Sequence, residues 1–300
     1  MPAPTRVVPI AAGSVNSNFF LESGSRRWFL RIYEEQEADG VAYEWALLRH
    51  LAAGGVPVPS RVGSPAPGEA RVGGKPVAVF EVVGGRESCQ AAVTPTRAAH
   101  LGAFLATCHL VADDFAQRRA GRFTRGDVRR RLGGIEALGR PELATPVAAI
   151  RSALDEVEEA WPPDLPSGVI HGDLFRDNVR WEGDRIVAAI DWESASDGAR
   201  VLDLAVCLLA WCYGDRTDWG LGRALVRGYD GVRPLAEVEQ IGLRLAAMEA
   251  ACRFSTTRIT DYHLRQGVGQ RVVKDYRRFL ARLEEVRSLD AEAFGQKLLG

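Results

Sequence analysis

Asp173, Asn178 and Asp191 have the types and spacing of residues that transfer a phosphoryl group. The first two lie in His171-Gly172-Asp173-Leu174-Phe175-Arg176-Asp177-Asn178, an H-x-D-x4-N pattern, and Asp191 follows thirteen residues later. Asp173 is the candidate base, able to take a proton from an attacking hydroxyl. Asn178 and Asp191 offer hard oxygen atoms, the ligand type that suits Mg²⁺ on nucleotide phosphates. His171 reads as a residue that braces the loop. Singly, Asp and Asn are ordinary turn residues. Several residue types at fixed spacings are what point to chemistry.

Those residues need a scaffold that brings them together. Gly168-Val169-Ile170 is a short apolar run leading into His171. Asn178-Val179-Arg180-Trp181 reads as a strand, Glu182-Gly183-Asp184 as a turn, and Arg185 to Ile190 as the returning strand. A hairpin of that register sets Asn178 and Asp191 side by side at its open end.

Strand signals dominate the first 85 residues: Arg6–Ile10, a hairpin of Phe19–Glu22 and Trp28–Tyr33, and Lys75–Val83, ended by Gly84-Gly85. One helix, 37–53, lies among them and stops at Gly54-Gly55. From Thr94, a good N-cap with Pro95 behind it, the pattern turns helical. Helices are expected to 111 and near 127–139, 144–160, 200–213, 218–229, 234–262 and 270–286. The domain reading is 1–85 for a nucleotide-binding lobe and 86–300 for a helical lobe with the catalytic loop and substrate site.

Three features of the first lobe suit a nucleotide. The loop around Gly13, Ser14 and Asn16 is small and amide-rich, so its backbone N–H groups can approach phosphates. Arg31 sits mid-strand in an apolar run. Glu44 shares a helical stripe with Val41, Leu48 and Leu51, so the two charges need partners and can serve each other. The strand end at Glu81-Val82-Val83 precedes the glycine hinge, where backbone groups can meet a base.

Composition excludes other classes. With 38 Lys and Arg against 39 Asp and Glu, the net charge of −1 gives no field favouring nucleic acid or an anionic membrane. Arg129-Arg130-Arg131 reads as a solvated helix face. The five cysteines show no metal or disulfide spacing, which points to a reducing compartment. No apolar run is long enough to span a bilayer. A cytoplasmic monomer acting on a small molecule is the expectation.

These motifs, with Gly55-Val56-Pro57-Val58-Pro59, Asp203-Leu204-Ala205 and Thr257 to Tyr262, resemble the aminoglycoside phosphotransferase and choline kinase superfamily. Within it, the wording is most similar to homoserine kinases of the protein-kinase-like type. The resemblance implies an α+β, protein-kinase-like two-lobed fold, with a small antiparallel-sheet N-lobe and a larger helical C-lobe. It implies ATP and Mg²⁺, with Asp173 as base and Asn178 and Asp191 on the metal. Arg31, where such folds usually have lysine, would hold phosphate and be oriented by Glu44. Asp203 would brace the loop. An amino-acid acceptor needs a cation and an acid: Arg176 is the natural carboxylate clamp, Arg258 and Arg253 are more distant ones, and Asp261 could meet the ammonium. Two other readings are an aminoglycoside, choline or other amino-alcohol kinase, and a non-catalytic nucleotide-binding regulator.

Overall fold

The computed structural model describes residues 3–10, 15–63, 69–265 and 274–300. Gly13 and Ser14 lie outside the described residues.

The chain opens with β1 (Arg6–Ile10), β2 (Ser17–Ser23) and β3 (Arg26–Ile32), followed by α1 (Ala38–Ala53), β4 (Arg71–Val72) and β5 (Lys75–Glu81). The strands form one antiparallel sheet in the order β1-β2-β3-β5-β4. Strand β3 buries Trp28 and Arg31, which are three apart and so belong to opposite faces, and α1 buries Val41, Glu44, Leu48 and Leu51. The anticipated stripe is therefore the buried one, and Glu44 lies within it.

Helices dominate the remainder: α2 (Pro95–Val111), α3 (Arg125–Ala137) and α4 (Pro141–Ala160) come first. Four short strands follow: β6 (Ser167–Ile170), β7 (Val179–Glu182), β8 (Arg185–Ala189) and β9 (Ser196–Ala199). Then come α5 (Arg200–Trp211), α6 (Trp219–Asp230), α7 (Glu237–Arg258), α8 (Arg277–Arg287) and α9 (Ala291–Leu299). Thr94 caps α2 by accepting from the Arg97 N–H at 3.2 Å. The hairpin β7–β8 pairs Val179 with Ala189, and the Ile190 N–H donates to the Asn178 carbonyl at 2.9 Å.

Three elements differ from expectation. The long helix ends at Arg258 and widens into a π-helical turn, Ile259–His263, where Thr260 Oγ1 bonds back to the Thr256 and Thr257 carbonyls. Strand β9 has the sequence Ser-Asp-Gly-Ala, without β propensity, and exists because it pairs with β6. Helix α9 is capped by Asp290, which accepts from the Ala293 N–H at 2.7 Å. Of the expected helix at 270–286, residues 270–273 lie outside the described residues, 274–276 are not helical, and the remainder falls in α8.

Two contacts tie the sheet to the hairpin. Arg86, just beyond the Gly84-Gly85 hinge, exchanges backbone hydrogen bonds with Trp181 at 2.9 and 2.8 Å. Gly85 has φ +79°, and a Cβ there would lie 2.6 Å from Val187 Cγ2 and 2.9 Å from the Trp181 carbonyl oxygen, so only glycine fits. The Ala189 N–H donates to the Pro57 carbonyl at 3.0 Å.

Helices α2 and α6 touch backbone to backbone. A Cβ on Gly102 would lie 2.0 Å from the Leu225 carbonyl oxygen, and one on Gly228 would lie 2.0 Å from that of Ala99. This crossing sets His109 of α2 beside Tyr229 of α6, with His109 Nδ1 2.7 Å from the hydroxyl oxygen. Gly102→Ala should therefore force the helices apart and cost about 3 kcal/mol of stability. Urea denaturation of the variant measures this. A loss below about 0.5 kcal/mol would show that the crossing is loose.

Candidate active site

The catalytic loop is built around one buried carboxylate. Asp203, in the first turn of α5 and fully buried, accepts the backbone N–H of His171 at 2.6 Å and of Gly172 at 2.7 Å. Its Oδ2 also lies 3.2 Å from His109 Nε2. Burial works against its charge, but His109 and the two backbone donors outweigh it and hold the Asp203 carboxyl below its ordinary range. His171 is buried and its pKa is lowered, chiefly by desolvation. Its Nδ1 accepts from the Asp173 N–H at 3.2 Å, so its Nε2 carries the proton donated to the Ile190 carbonyl at 3.1 Å. The imidazole joins loop to hairpin and does not face the cleft.

Asp173 lies half-buried in a cleft of about 480 Å³ between the sheet and the helices. Burial pushes its carboxyl up to about 7; Arg253 and Lys274 oppose the rise, while Asp191 and Asp177 add to it. A carboxylate near neutrality can receive a proton from an alcohol more readily than an ordinary aspartate. Asn178 Nδ2 donates to the Asp173 carbonyl at 2.8 Å, which leaves the amide oxygen as the free end. Asp191 is the only non-glycine with positive φ among the described residues (φ 68°, ψ 53°), a strained conformation that aims it off the end of β8.

Arg31 is where the structure departs most from the expected pairing. Its Nη1 is 2.7 Å from Asp191 Oδ1 and 3.9 Å from Glu44 Oε1. Glu44 is already engaged by the Tyr33 hydroxyl, which donates at 2.7 Å. Burial opposes the Arg31 charge, yet Asp191 and then Glu44 outweigh it and hold the guanidinium firmly protonated. Burial pushes Glu44 up to about 7, against the pull of Arg31.

The other anticipated residues divide into two groups. Asn16, Arg258 and Asp261 line the cleft. Asn16 Nδ2 donates to Glu193 Oε2 at 2.5 Å, and its own oxygen accepts the Glu34 N–H at 3.2 Å. Arg258 Nη1 donates to the Asp275 carbonyl at 3.0 Å. Asp261 accepts Arg131 Nη1 at 2.9 Å. Arg176 does not line the cleft: the 3₁₀ turn Arg176–Asn178 directs its guanidinium away, onto Gln90 Oε1 and the Ala210 carbonyl (2.6 Å). Glu81 and Val83 do not line it either. The Glu81 N–H is committed to the Ser60 carbonyl at 2.8 Å.

Sequence reasoning passed over several lining residues. Glu193 follows Asp191 by two and lies buried beside it, its pKa raised by burial and then by Asp191. An Asp-Trp-Glu triplet after the second strand was the available signal. Arg131 is not on a purely solvated face, because it reaches Thr260 and Asp261 across the cleft. Arg253, by contrast, is one of the expected distant clamps for the acceptor; half-buried, it donates to the Gly172 carbonyl at 2.5 Å and stacks over Phe123 and Phe254. The five cysteines are unpaired thiols. Among the described residues no helix is long and apolar enough to cross a membrane.

The sequence model of the Phosphotransferase enzyme family matches residues 6–235. The chain belongs to that family. A homoserine kinase of Methylobacterium sp. (strain 4-46) is 36% identical to this phosphotransferase over 261 residues, covering 84% of this chain and 79% of the relative. That of Brucella canis is 34% identical over 297 residues, covering 97% and 90%. Among solved structures, an amicoumacin kinase in complex with AMP-PNP, Ca²⁺ and Ami superposes with a TM-score of 0.70 at 15% identity, over 97% of this chain and 92% of that one. A microcompartment-associated aminopropanol kinase gives 0.69 at 18% identity, over 96% and 92%. The phosphotransferase thus has the protein-kinase-like, two-lobed α+β fold, and it is a small-molecule kinase.

A metal would take the place of a cation already present: Arg31 sits on Asp191 in the cleft, and the β7–β8 pairing brings Asn178 to the same end of the hairpin. Among the described residues there is no cluster of three or more His, Cys, Asp or Glu that could hold a metal by itself. Phosphate oxygens and water must complete any coordination shell, as is usual for Mg²⁺.

The raised Asp173 carboxyl fixes a pH dependence. A reaction that uses Asp173 as its base needs the carboxylate, so its kcat/KM should be flat above about pH 7.5 and fall tenfold per unit below about pH 6.5. Asp173 titrates near 7 when folded but near 3.9 when unfolded. A raised acid contributes stability that is complete below about pH 4 and lost as pH rises through 7. Asp173→Asn should therefore melt higher than the parent at pH 8 and close to it at pH 4. Thermal denaturation at the two pH values, with the pH–rate profile, checks both; a rate still flat at pH 5.5 refutes the assignment.

Proposed function

We propose that this phosphotransferase transfers the γ-phosphoryl group of Mg-ATP to the hydroxyl of L-homoserine, giving O-phospho-L-homoserine and ADP. The observation that carries the reading is Asp173, a base brought near neutrality by burial. The cleft around it is lined by Asn16, Arg31 and Asp191 from the sheet and hairpin, and by Arg258, Asp261 and Tyr262 from the end of α7 and the turn after it. Relatives 34–36% identical over 84–97% of the chain are named homoserine kinases, which supports this acceptor. The cleft lining mixes arginines with carboxylates, which suits a zwitterion better than a polycationic antibiotic.

In this reading Asp173 orients the acceptor hydroxyl and accepts its proton as the new O–P bond forms. The bond from the γ-phosphorus to the bridging oxygen breaks, and the electron pair leaves with ADP. Asn178 Oδ1 and Asp191 hold Mg²⁺, which neutralises charge on the phosphate oxygens. Arg31 steadies the phosphates, and Glu44 with Tyr33 fixes the floor beneath it. Asp261 meets the acceptor ammonium, and Arg258 lies close to its carboxylate. Residues 1–85 form the nucleotide-binding lobe, with 86–300 forming the catalytic and acceptor lobe. Most of the acceleration comes from positioning and charge neutralisation.

Coupled ADP release with Mg-ATP against L-homoserine, L-serine, choline and kanamycin tests the acceptor. Turnover should be strong on homoserine and lost by about 10²–10⁴-fold in Asp173→Asn. Preference for choline or kanamycin would keep the kinase mechanism and overturn the acceptor. Nucleotide binding without turnover on any alcohol would favour a regulatory role.

A further inference from the structure

Arg176, Arg258, Arg278 and Arg282 gather where α7, α8 and the catalytic loop meet. Arg258 and Arg282 share one aromatic face: each guanidinium carbon is 4.4 Å from the Phe279 ring centre. Arg282 also stacks at 4.1 Å on Tyr213. The hydrogen bonds formed by Arg176, Arg258 and Arg282 go to neutral oxygens. Arg258 donates to the Asp275 carbonyl, while Arg282 donates to the Leu209 and Arg278 carbonyls at 2.9 and 2.7 Å. Arg176 is bonded to Gln90 and to the Ala210 carbonyl. Among the described residues none of the four is ion-paired. Of the acids at hand, Asp275 pairs with Arg277 at 3.4 Å and Asp261 with Arg131, while Asp173 and Asp177 line the cleft and act on the cluster only through space. Residues outside the described ones include no Asp or Glu that could compensate the cluster.

Such charge is costly to assemble without a counter-ion. Burial and then the neighbouring arginines bring Arg258 down to about 10 and Arg282 to about 9. Arg176 is lowered as well, by burial and then by Arg278. An anion at the exposed side of the cluster relieves that repulsion. Arg258 is the member that opens into the cleft, alongside Phe175, Asp261 and Tyr262. The nucleotide-facing groups Asn16, Arg31 and Asp191 belong to the sheet and the hairpin.

We propose that this uncompensated arginine cluster, presented to the cleft by Arg258 and flanked by the exposed Arg278, binds the carboxylate of an amino-acid acceptor. The inference rests on the reading of the acceptor as homoserine and assigns the part of the site that separates it from plain amino alcohols. Arg258 is the contact residue. Arg278 and Arg282 supply the field, and Arg176, bound to Gln90 behind the loop, adds to it from below.

The test compares kcat/KM for L-homoserine with that for the amino alcohol it becomes on losing its carboxylate. The parent enzyme should favour homoserine strongly. Arg258→Ala removes the contact. Because Arg258 also packs on Phe279, the exposed Arg278→Ala serves as the variant that cannot fail through folding. Arg258→Ala should collapse the ratio by about tenfold or more, through KM for homoserine rather than kcat, as expected for a charged hydrogen bond. Arg278→Ala should lower it in the same direction by a smaller factor that shrinks as salt is added, as expected for a through-space charge. A ratio unchanged in both variants, with homoserine still turned over, overturns the cluster assignment and leaves the acceptor intact. Absence of homoserine turnover in the parent overturns both.

Discussion

The acceptance of two consecutive backbone N–H groups by the Asp203 carboxylate is the contact on which the active site depends. A fully buried carboxylate is stable only when its lone pairs are filled, and here the loop at His171 and Gly172 fills them. That geometry turns the chain so that Asp173 faces the cleft. His109 closes the carboxylate from the far side, and the α2–α6 crossing positions His109. A glycine contact between two distant helices is therefore part of how Asp173 is aimed.

The electrostatics of the cleft follow from the same economy. Each half-buried charge is met by an opposite one, and the exceptions are informative. Asp173 has no carboxylate-pairing bond of its own, and burial brings it near neutrality. Among the described residues the clustered arginines between α7 and α8 form no ion pair, and Arg258 presents them to the cleft. Proteins tolerate uncompensated charge chiefly where function needs it.

Much of this was legible in the sequence because it is local. The spacing of Asp173, Asn178 and Asp191 on a hairpin, the cap at Thr94-Pro95 and the stripe that buries Glu44 are all short-range patterns, and each element formed where its pattern lay. The assignment of roles to those side chains remains a proposal. What stayed hidden depends on distant partners. Strand β9 needs β6 to exist, and Arg131 looked like surface until the π-helical turn brought Asp261 to it. Arg176 has the right charge in the right loop, but a 3₁₀ turn sends it to Gln90, and no motif encodes that direction. The preference of Arg31 for Asp191 over Glu44 arises because Tyr33 has already claimed the glutamate.

The hydrogen bonds of Arg86 to Trp181 and of Ala189 to Pro57 have a mechanical meaning. They fasten the sheet half of the molecule to both strands of the hairpin. From the cleft side the same seam is closed by Arg31 on Asp191 at 2.7 Å and by Asn16 on Glu193 at 2.5 Å. The hairpin is thus stitched along both edges, and the spacing between its open end and the sheet is set by bonds already made rather than by whatever enters between them.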